Sequence, residues 1–392
     1  ESDESVVARW VENPYWQYFC GMKWFCHAFP LDPSSLCRWR KRVGESGMET
    51  LLAETVRTGL RTKAIKESSF THINVDTTVQ EKAIRFPTDA RLYDRMREHL
   101  VRLARKRKVD LRQTYARVGP KLVRKISGYA HARQFKRLRA GTRRLKTWLG
   151  RVVRDIERKI AGDAALEARF FHSLGLARRL LEQTRSSKNK LYSVHAPEVE
   201  CIAKGKAHKR YEFGCKASLV STSREGFLLG AKAFHGNPYD GHTLGEAIEQ
   251  AERIAGSQIT ENLYADKGYR GHNYTGAAEV HTVGRRGWKG LSWAKRRWRK
   301  RRAAIEPLIG HLKSDGRLDR NYLLGKEGDR MNVLLAASGQ NLRLLLRWLA
   351  RPGSKKGFFA LANRLARALG RALTASLDLL DIQDPYPIDL TA

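Results

Sequence analysis

Strand-like alternation appears in this chain at two widely separated places, and a long basic stretch of helical character lies between them. Ile73 and Val75 share one face of a short extended run. Runs of the same texture return only from about residue 191, in Tyr211–Val220, Gly226–Ala231 and Ile259–Ala265. A lone strand has nowhere to place its apolar face, so the first run must pair with the later ones. With helices predicted over His242–Ala255 and after Ile305, this order specifies an α/β domain interrupted by a long helical insertion. The α/β domain is expected over 67–90 and 191–350, and the insertion over 91–190. A small all-α domain precedes them at 1–66, and a tail occupies 351–392.

The insertion is charged to one side. Residues 91–150 hold 20 Lys or Arg against three acids, Asp94, Glu98 and Asp110. Leu100, Leu103, Leu111, Leu138, Leu145 and Leu149 recur among the charges at roughly helical intervals. Two or three helices are expected, with Gly119-Pro120 as the break between them. So uneven a balance favours an arm that tracks a DNA backbone over a merely solvated hairpin.

The whole chain carries 75 Lys and Arg against 40 acids, a net charge of +35. That balance predicts association with nucleic acid or another anionic surface. No run of 18 apolar residues is present, which argues against a membrane span. Glu1-Ser2-Asp3-Glu4-Ser5 does not resemble a signal peptide, and the absent Met predicts a start further upstream. Cys20, Cys26, Cys37, Cys201 and Cys215 show no paired metal-ligand spacing and read as free thiols.

Near the start, the aromatics of Asn13–Cys20 can form a small core. Asp32–Gly44 then reads as a helix with Asp32 as cap, Pro33 in its first turn and Gly44 at its exit. Leu36, Trp39, Arg40 and Val43 form its inner stripe, so Arg38, Lys41 and Arg42 point outward. This fits the recognition helix of a helix-turn-helix and an ordinary amphipathic helix equally well.

Three acids stand out against the positive background. Asp76 follows Ile73 and Val75 on the opposite strand face, and Asp266 follows the strand residues Leu263-Tyr264-Ala265. Strand C-terminal ends are where open α/β sheets carry their sites. Glu306 opens a helix whose stripe is Ile305, Leu308, Ile309 and Leu312, with Pro307 acceptable only in the first turn. Arg302 and Lys313 flank Glu306 four and seven residues away, on one helix face. A strongly cationic chain has little reason to gather carboxylates except to hold a divalent cation, since hard ions such as Mg²⁺ take carboxylate oxygens and share their shell with phosphates.

These blocks resemble those of a known family. Asn74-Val75-Asp76-Thr77-Thr78-Val79, with Glu81–Asp89 after it, is similar to the first catalytic block of the InsH-like DDE transposases of bacterial insertion sequences. Tyr264-Ala265-Asp266-Lys267-Gly268-Tyr269-Arg270-Gly271-His272 resembles the second block, and Arg302–Lys313 around Glu306 resembles the third. The likeness runs from about Asn13 to Leu346, with Arg299 standing where the family often has Tyr. The resemblance implies a ribonuclease-H-like fold in which Asp76, Asp266 and Glu306 bind two Mg²⁺ ions, with Mn²⁺ as a substitute. Arg302, Lys313 and Lys267 would support the acids or touch phosphate. It further implies cleavage at insertion-sequence ends, 3′-OH strand transfer into target DNA, a homodimer on DNA, and action in the bacterial cytoplasm at the nucleoid. A related metal nuclease that never joins, and a catalytically inactive DNA-binding relative, are the alternatives.

Just before Glu306, Arg285–Arg302 holds ten Lys or Arg and no acid, including Arg296, Arg297, Arg299, Lys300 and Arg301. Trp288, Trp293 and Trp298 recur among them. Such interleaving suits stacking on unpaired bases, whereas Trp293 reads as a core anchor. No phosphate-cradling glycine loop is present, so no nucleotide cofactor is implied. The tail turns acidic, with Asp378, Asp381, Asp384 and Asp389 and no Lys or Arg over 374–392. It reads as a partner-docking or self-masking tail, or as a disordered extension.

Overall fold

A computed structural model describes residues 3–184, 186–203, 209–259, 261–282 and 292–350. Trp288 and the tail at 351–392 lie outside these residues. In chain order the helices and strands begin with α1 (Asp3–Glu12), α2 (Pro14–Phe19), α3 (Ser34–Arg61) and β1 (His72–Glu81). Next come α4 (Asp89–Lys106), α5 (Val118–His131), α6 (Phe135–Ile160) and α7 (Ala164–Glu182). Then follow β2 (Glu200–Ile202), β3 (Glu212–Thr222), β4 (Leu228–Phe234), α8 (Leu244–Ala255), β5 (Asn262–Tyr264) and β6 (Glu279–His281). The series closes with α9 (Trp293–Arg301), α10 (Ile305–Ser314) and α11 (Gly325–Leu349). The chain is a mixed α/β protein that divides into two compact units.

The sheet unit comprises the described residues of Glu1–Gln80, Lys216–Phe234 and Pro238–Ala392. The initial segment is therefore grouped with the sheet. Within it, β1 runs parallel to β5, with His72 opposite Asn262, Ile73 opposite Leu263 and Asn74 opposite Tyr264. β5 runs parallel to β6, while β3 neighbours β1 and pairs antiparallel with β4.

Ile73, Val75 and Val79 are buried, as are Asn74, Thr77 and Thr78, so β1 is covered on both faces while Asp76 stays half-buried. On α8, Leu244, Ala247, Ile248 and Ala251 make a helical stripe that packs on β4. A Cβ at Gly230 would lie 3.1 Å from that of Ala251, which is why the strand has glycine there. α11 packs on α3 and β4, and the fully buried Asn341 fastens all three. It accepts the Leu228 amide and donates to the Leu228 carbonyl and to Thr55 Oγ1, satisfying groups that could not reach water.

The helix predicted over Asp32–Gly44 is present. Asp32 Oδ1 accepts the Ser34 amide, and Gly44, at φ 59°, kinks α3 where the exit was expected. Arg40, the polar member of the inner stripe, pairs with Asp3.

The helical unit comprises Glu81–Cys215 and His235–Asn237. Its core gathers Met96, Leu100, Ile126, Leu145, Leu149, Ile156 and Phe170 from four helices rather than two or three. The break also falls elsewhere than expected: α4 ends at Lys106, and Gly119-Pro120 lies in the first turn of α5, where proline lacks no needed donor. Gly119 is required because a Cβ there would be 2.4 Å from Asp94 Oδ1, which holds the buried Arg97. Asp155 accepts the Arg112 amide and fixes the α4–α5 connection to α6. β2 pairs antiparallel with the start of β3, Glu200 opposite Gly214.

Candidate active site

The sheet unit positions the three predicted acids from two directions. β1 and β5 run parallel with Asn74 opposite Tyr264, the last residue of β5; Asp76 lies two residues further along β1 and Asp266 two residues past the end of β5, so the same register carried onward would bring them level. Asp76 stands inside β1 and Asp266 just past the end of β5, and neighbouring strands are about 4.8 Å apart. Asp266 is fixed there by its own turn, its Oδ1 accepting the Gly268 amide at 2.7 Å.

Glu306 reaches the same place from a helix. Ile305, Leu308 and Leu312 are buried beneath α10, so Glu306 stands outward with its side chain 61% exposed. Pro307 falls in the first turn, as the sequence required. Arg302 spans the gap between acids: one guanidinium nitrogen lies 2.9 Å from Glu306 Oε1 and the other 3.7 Å from Asp76 Oδ2.

The junction before α10 is tied to β1 by a residue that sequence reasoning passed over. Asn74 shares the strand face of Asp76 and is 1% exposed. Its Nδ2 donates to the Arg301 carbonyl at 3.2 Å, and its Oδ1 accepts from Ser223 Oγ at 2.6 Å.

A fourth acid also went unread. Asp240 belongs to the Asn237–Gly241 turn, where Asp has an ordinary turn role. Its Oδ1 accepts Thr77 Oγ1 at 2.9 Å and Lys216 Nζ at 2.8 Å. Tyr269 lies fully buried behind these acids. Burial pushes its phenol well above the ordinary range, and the negative charges of Asp76, Asp240 and Asp266 push it further. The buried Ser218 hydroxyl beside the phenol opposes that rise in part.

The predicted cations fall into different roles. Lys267 is exposed directly after Asp266, and Lys313 is half-buried in the last turn of α10. Arg38, Lys41 and Arg42 are exposed on the first half of α3, and Arg296, Arg297 and Lys300 are exposed on α9, with Arg299 half-buried. Arg301 is a tether instead: its guanidinium donates to the carbonyls of Ser223 and Arg224. The expectation for Trp293 fails, and Trp298, for which the sequence leaves stacking on bases and core packing both open, takes the packing role. Trp293 is no core anchor but 74% exposed, with the Arg297 guanidinium over its ring. Trp298 is the anchor, stacked on His72 with ring centroids 3.7 Å apart. Their spacing could not show this, because which face of α9 meets the sheet depends on His72, far away in sequence.

Two family comparisons match this chain. Residues 182–342 match the family described as a transposase DDE domain, and residues 1–42 match the one described as a transposase domain (DUF772). The chain belongs to the DDE-type transposases of insertion sequences. The first match includes Asp266 and Glu306 but begins beyond Asp76, so the place of Asp76 rests on the strand register. Over 134 residues the transposase is 51% identical to an uncharacterized protein, ORF8 of the nfe locus in Rhizobium meliloti. The matched stretch is 34% of this chain and spans 65% of that relative's length. No solved structure matches.

Proposed function

We propose that this protein cuts DNA at the ends of an insertion sequence and joins the freed 3′ ends to target DNA, with Asp76, Asp266 and Glu306 as its catalytic acids. The observations that support this reading are Arg302, which reaches from Asp76 to Glu306, and the parallel pairing of β1 with β5, whose register carried two residues onward would bring Asp76 level with Asp266. The strand order supports a ribonuclease-H-like sheet: β4, β3, β1, β5, β6 are consecutive neighbours.

The chemistry of these donors, carboxylate oxygens alone, suits Mg²⁺, or Mn²⁺ in its place. Carboxylates gather in a chain of net charge +35, and hard cations prefer such oxygens. Asp76, Asp266 and Glu306 would hold the ions, which when bound stabilise the attacking and leaving oxygens of an in-line displacement. The chain's own residues prepare the site. The Gly268 amide fixes one oxygen of Asp266, and Arg302 steadies Glu306. Lys267 and Lys313 supply positive charge for phosphate oxygens.

In the first reaction water displaces the 3′ oxygen from a phosphodiester at the element end, leaving a 3′ hydroxyl and a 5′ phosphate. In the second, that hydroxyl attacks a target phosphodiester and the target's 3′ oxygen leaves. The partners are double-stranded DNA, as terminal inverted repeats and as target, and a second copy of the chain. The exposed cations of α3 and α9 and the basic insertion would follow the phosphates. No helix among the described residues is long and apolar enough to cross a membrane; the proposed place of action is the bacterial cytoplasm, at the nucleoid.

The test is incubation of purified protein with Mg²⁺ and DNA carrying the repeats that flank its gene. Cleaved ends and joined products should form, and Asp76→Ala, Asp266→Ala and Glu306→Ala should abolish both while DNA binding persists. Full activity in any of these would remove that acid from the mechanism. Cleavage without joined product would favour a nuclease.

A further inference from the structure

The turn that carries Asp240 touches both acid-bearing segments of the sheet unit. On one side, Asp240 Oδ1 accepts from Thr77, the residue directly after Asp76, at 2.9 Å. On the other, Asp240 Oδ2 faces the backbone of Gly268, two residues after Asp266. A Cβ at Gly268 would lie 3.0 Å from that oxygen and 2.9 Å from Asp266 Oδ1, so only glycine fits between the two carboxylates. The neighbours of Asp240 repeat the contact. Tyr239 Oη donates to the Arg270 carbonyl at 2.6 Å, and a Cβ at Gly241 would be 3.0 Å from His272 Cα.

A carboxylate in this position would repel Asp76 and Asp266 unless its charge were offset. Lys216 provides the offset. Its side chain is 8% exposed, and its ammonium donates to Asp240 Oδ1 and to the Pro238 carbonyl. With that oxygen engaged by both Lys216 and Thr77, Asp240 is poorly placed to bind a cation directly.

We propose that Asp240 is a positioning residue for the acid site: with Lys216 neutralising it, its carboxylate clasps the strand of Asp76 to the turn of Asp266 and sets the spacing at which they receive divalent cations. This rests on the metal-site reading given above. Groups that orient ligands in this manner cost about 10–100-fold in metal affinity when removed.

The experiment measures Mn²⁺ binding to the whole protein by calorimetry, without DNA, alongside amide exchange over 72–81 and 264–272. Asp240→Ala should weaken Mn²⁺ binding by about 10–100-fold and accelerate exchange in both segments. The double variant Asp240→Asn with Lys216→Met keeps the acceptor for Thr77 and removes both charges, and it should bind within a fewfold of the unsubstituted protein. Thr77→Val, which leaves the ion pair intact, should show a smaller loss of the same kind, and it decides the matter if Asp240→Ala does not fold. Unchanged Mn²⁺ affinity and exchange in Asp240→Ala, or in Thr77→Val where that variant decides, would overturn the proposal. So would a double variant that loses Mn²⁺ as fully as Asp266→Asn, which would make Asp240 a direct ligand. If the unsubstituted protein binds no Mn²⁺, the metal reading fails, and the exchange data alone then uphold or refute the clasp.

Discussion

Replacing Asn74 with alanine tests how the third acid is held near the first. The side chain makes two bonds in an interior where it is 1% exposed, to the Arg301 carbonyl and from the Ser223 hydroxyl. Stranding a buried carbonyl costs about 1–3 kcal/mol, and losing the bond from a hydroxyl that can turn elsewhere costs about 0.5–1.5 kcal/mol. The sum, about 2–4 kcal/mol, is a large part of the ~5–15 kcal/mol that holds a typical domain together. At about 2–4 °C per kcal/mol for a unit of this size, the melting transition should fall by roughly 4–16 °C.

The local effect should be the more telling one. Arg301 retains its own bonds to Ser223 and Arg224, so the junction loosens without detaching. Amide exchange over 292–314 should rise more than over α11, and cleavage of end-bearing DNA should fall while DNA binding is kept. Exchange that rises uniformly, or cleavage that stays intact in a destabilised protein, would refute the idea that Asn74 links the acids.

Other substitutions probe separate parts of the site. Gly268→Ala places a carbon 2.9 Å from Asp266 Oδ1, so it should expel that carboxylate from its turn. The loss of a charge-assisted bond worth about 1.5–3 kcal/mol predicts roughly 10–100-fold weaker cleavage, and wild-type rates would argue that the turn yields freely. Trp298→Ala should lower the melting temperature, whereas Trp293→Ala should leave it unchanged and weaken DNA binding; the reverse pattern would exchange their roles. Desolvation lowers the His72 pKa, helped by Arg224 and His281 and opposed by Glu261. The unfolded chain therefore takes up the proton first, and this residue should cost stability as the pH falls through about 6.5. His72→Phe keeps a ring against Trp298 and should show a shallower acid-side decline in urea titrations; an identical slope would exclude His72 as the source.

The acid blocks were legible because a local period fixes the direction of each side chain, although β1 runs on to Glu81, five residues past Asp76. Ile73 and Val75 fix the face of Asp76, and Ile305, Leu308 and Leu312 fix the direction of Glu306. Asp240 was not legible. Its setting of Asn, Pro, Tyr and Gly reads as turn chemistry, and its meaning comes from Thr77 and Lys216, which only tertiary structure brings near. The helix count failed for a related reason. The connection over 107–117 bends at Lys108 and Tyr115, both at positive φ, with neither Gly nor Pro to announce it. Arg301 and the pair Trp293 and Trp298 show the same limit: a basic or aromatic run declares a composition, not which members turn inward.

The parallel pairing of β1 with β5 bears on when the enzyme becomes dangerous to its host. The first strand leaves the ribosome early, yet its partner follows only after the whole helical unit, and contacts so distant along a chain form late. A chain interrupted just before α10 would already carry most of its Lys and Arg but would lack Glu306. On the function proposed above, such nascent or broken copies would bind DNA without cutting it and compete for sites with intact ones.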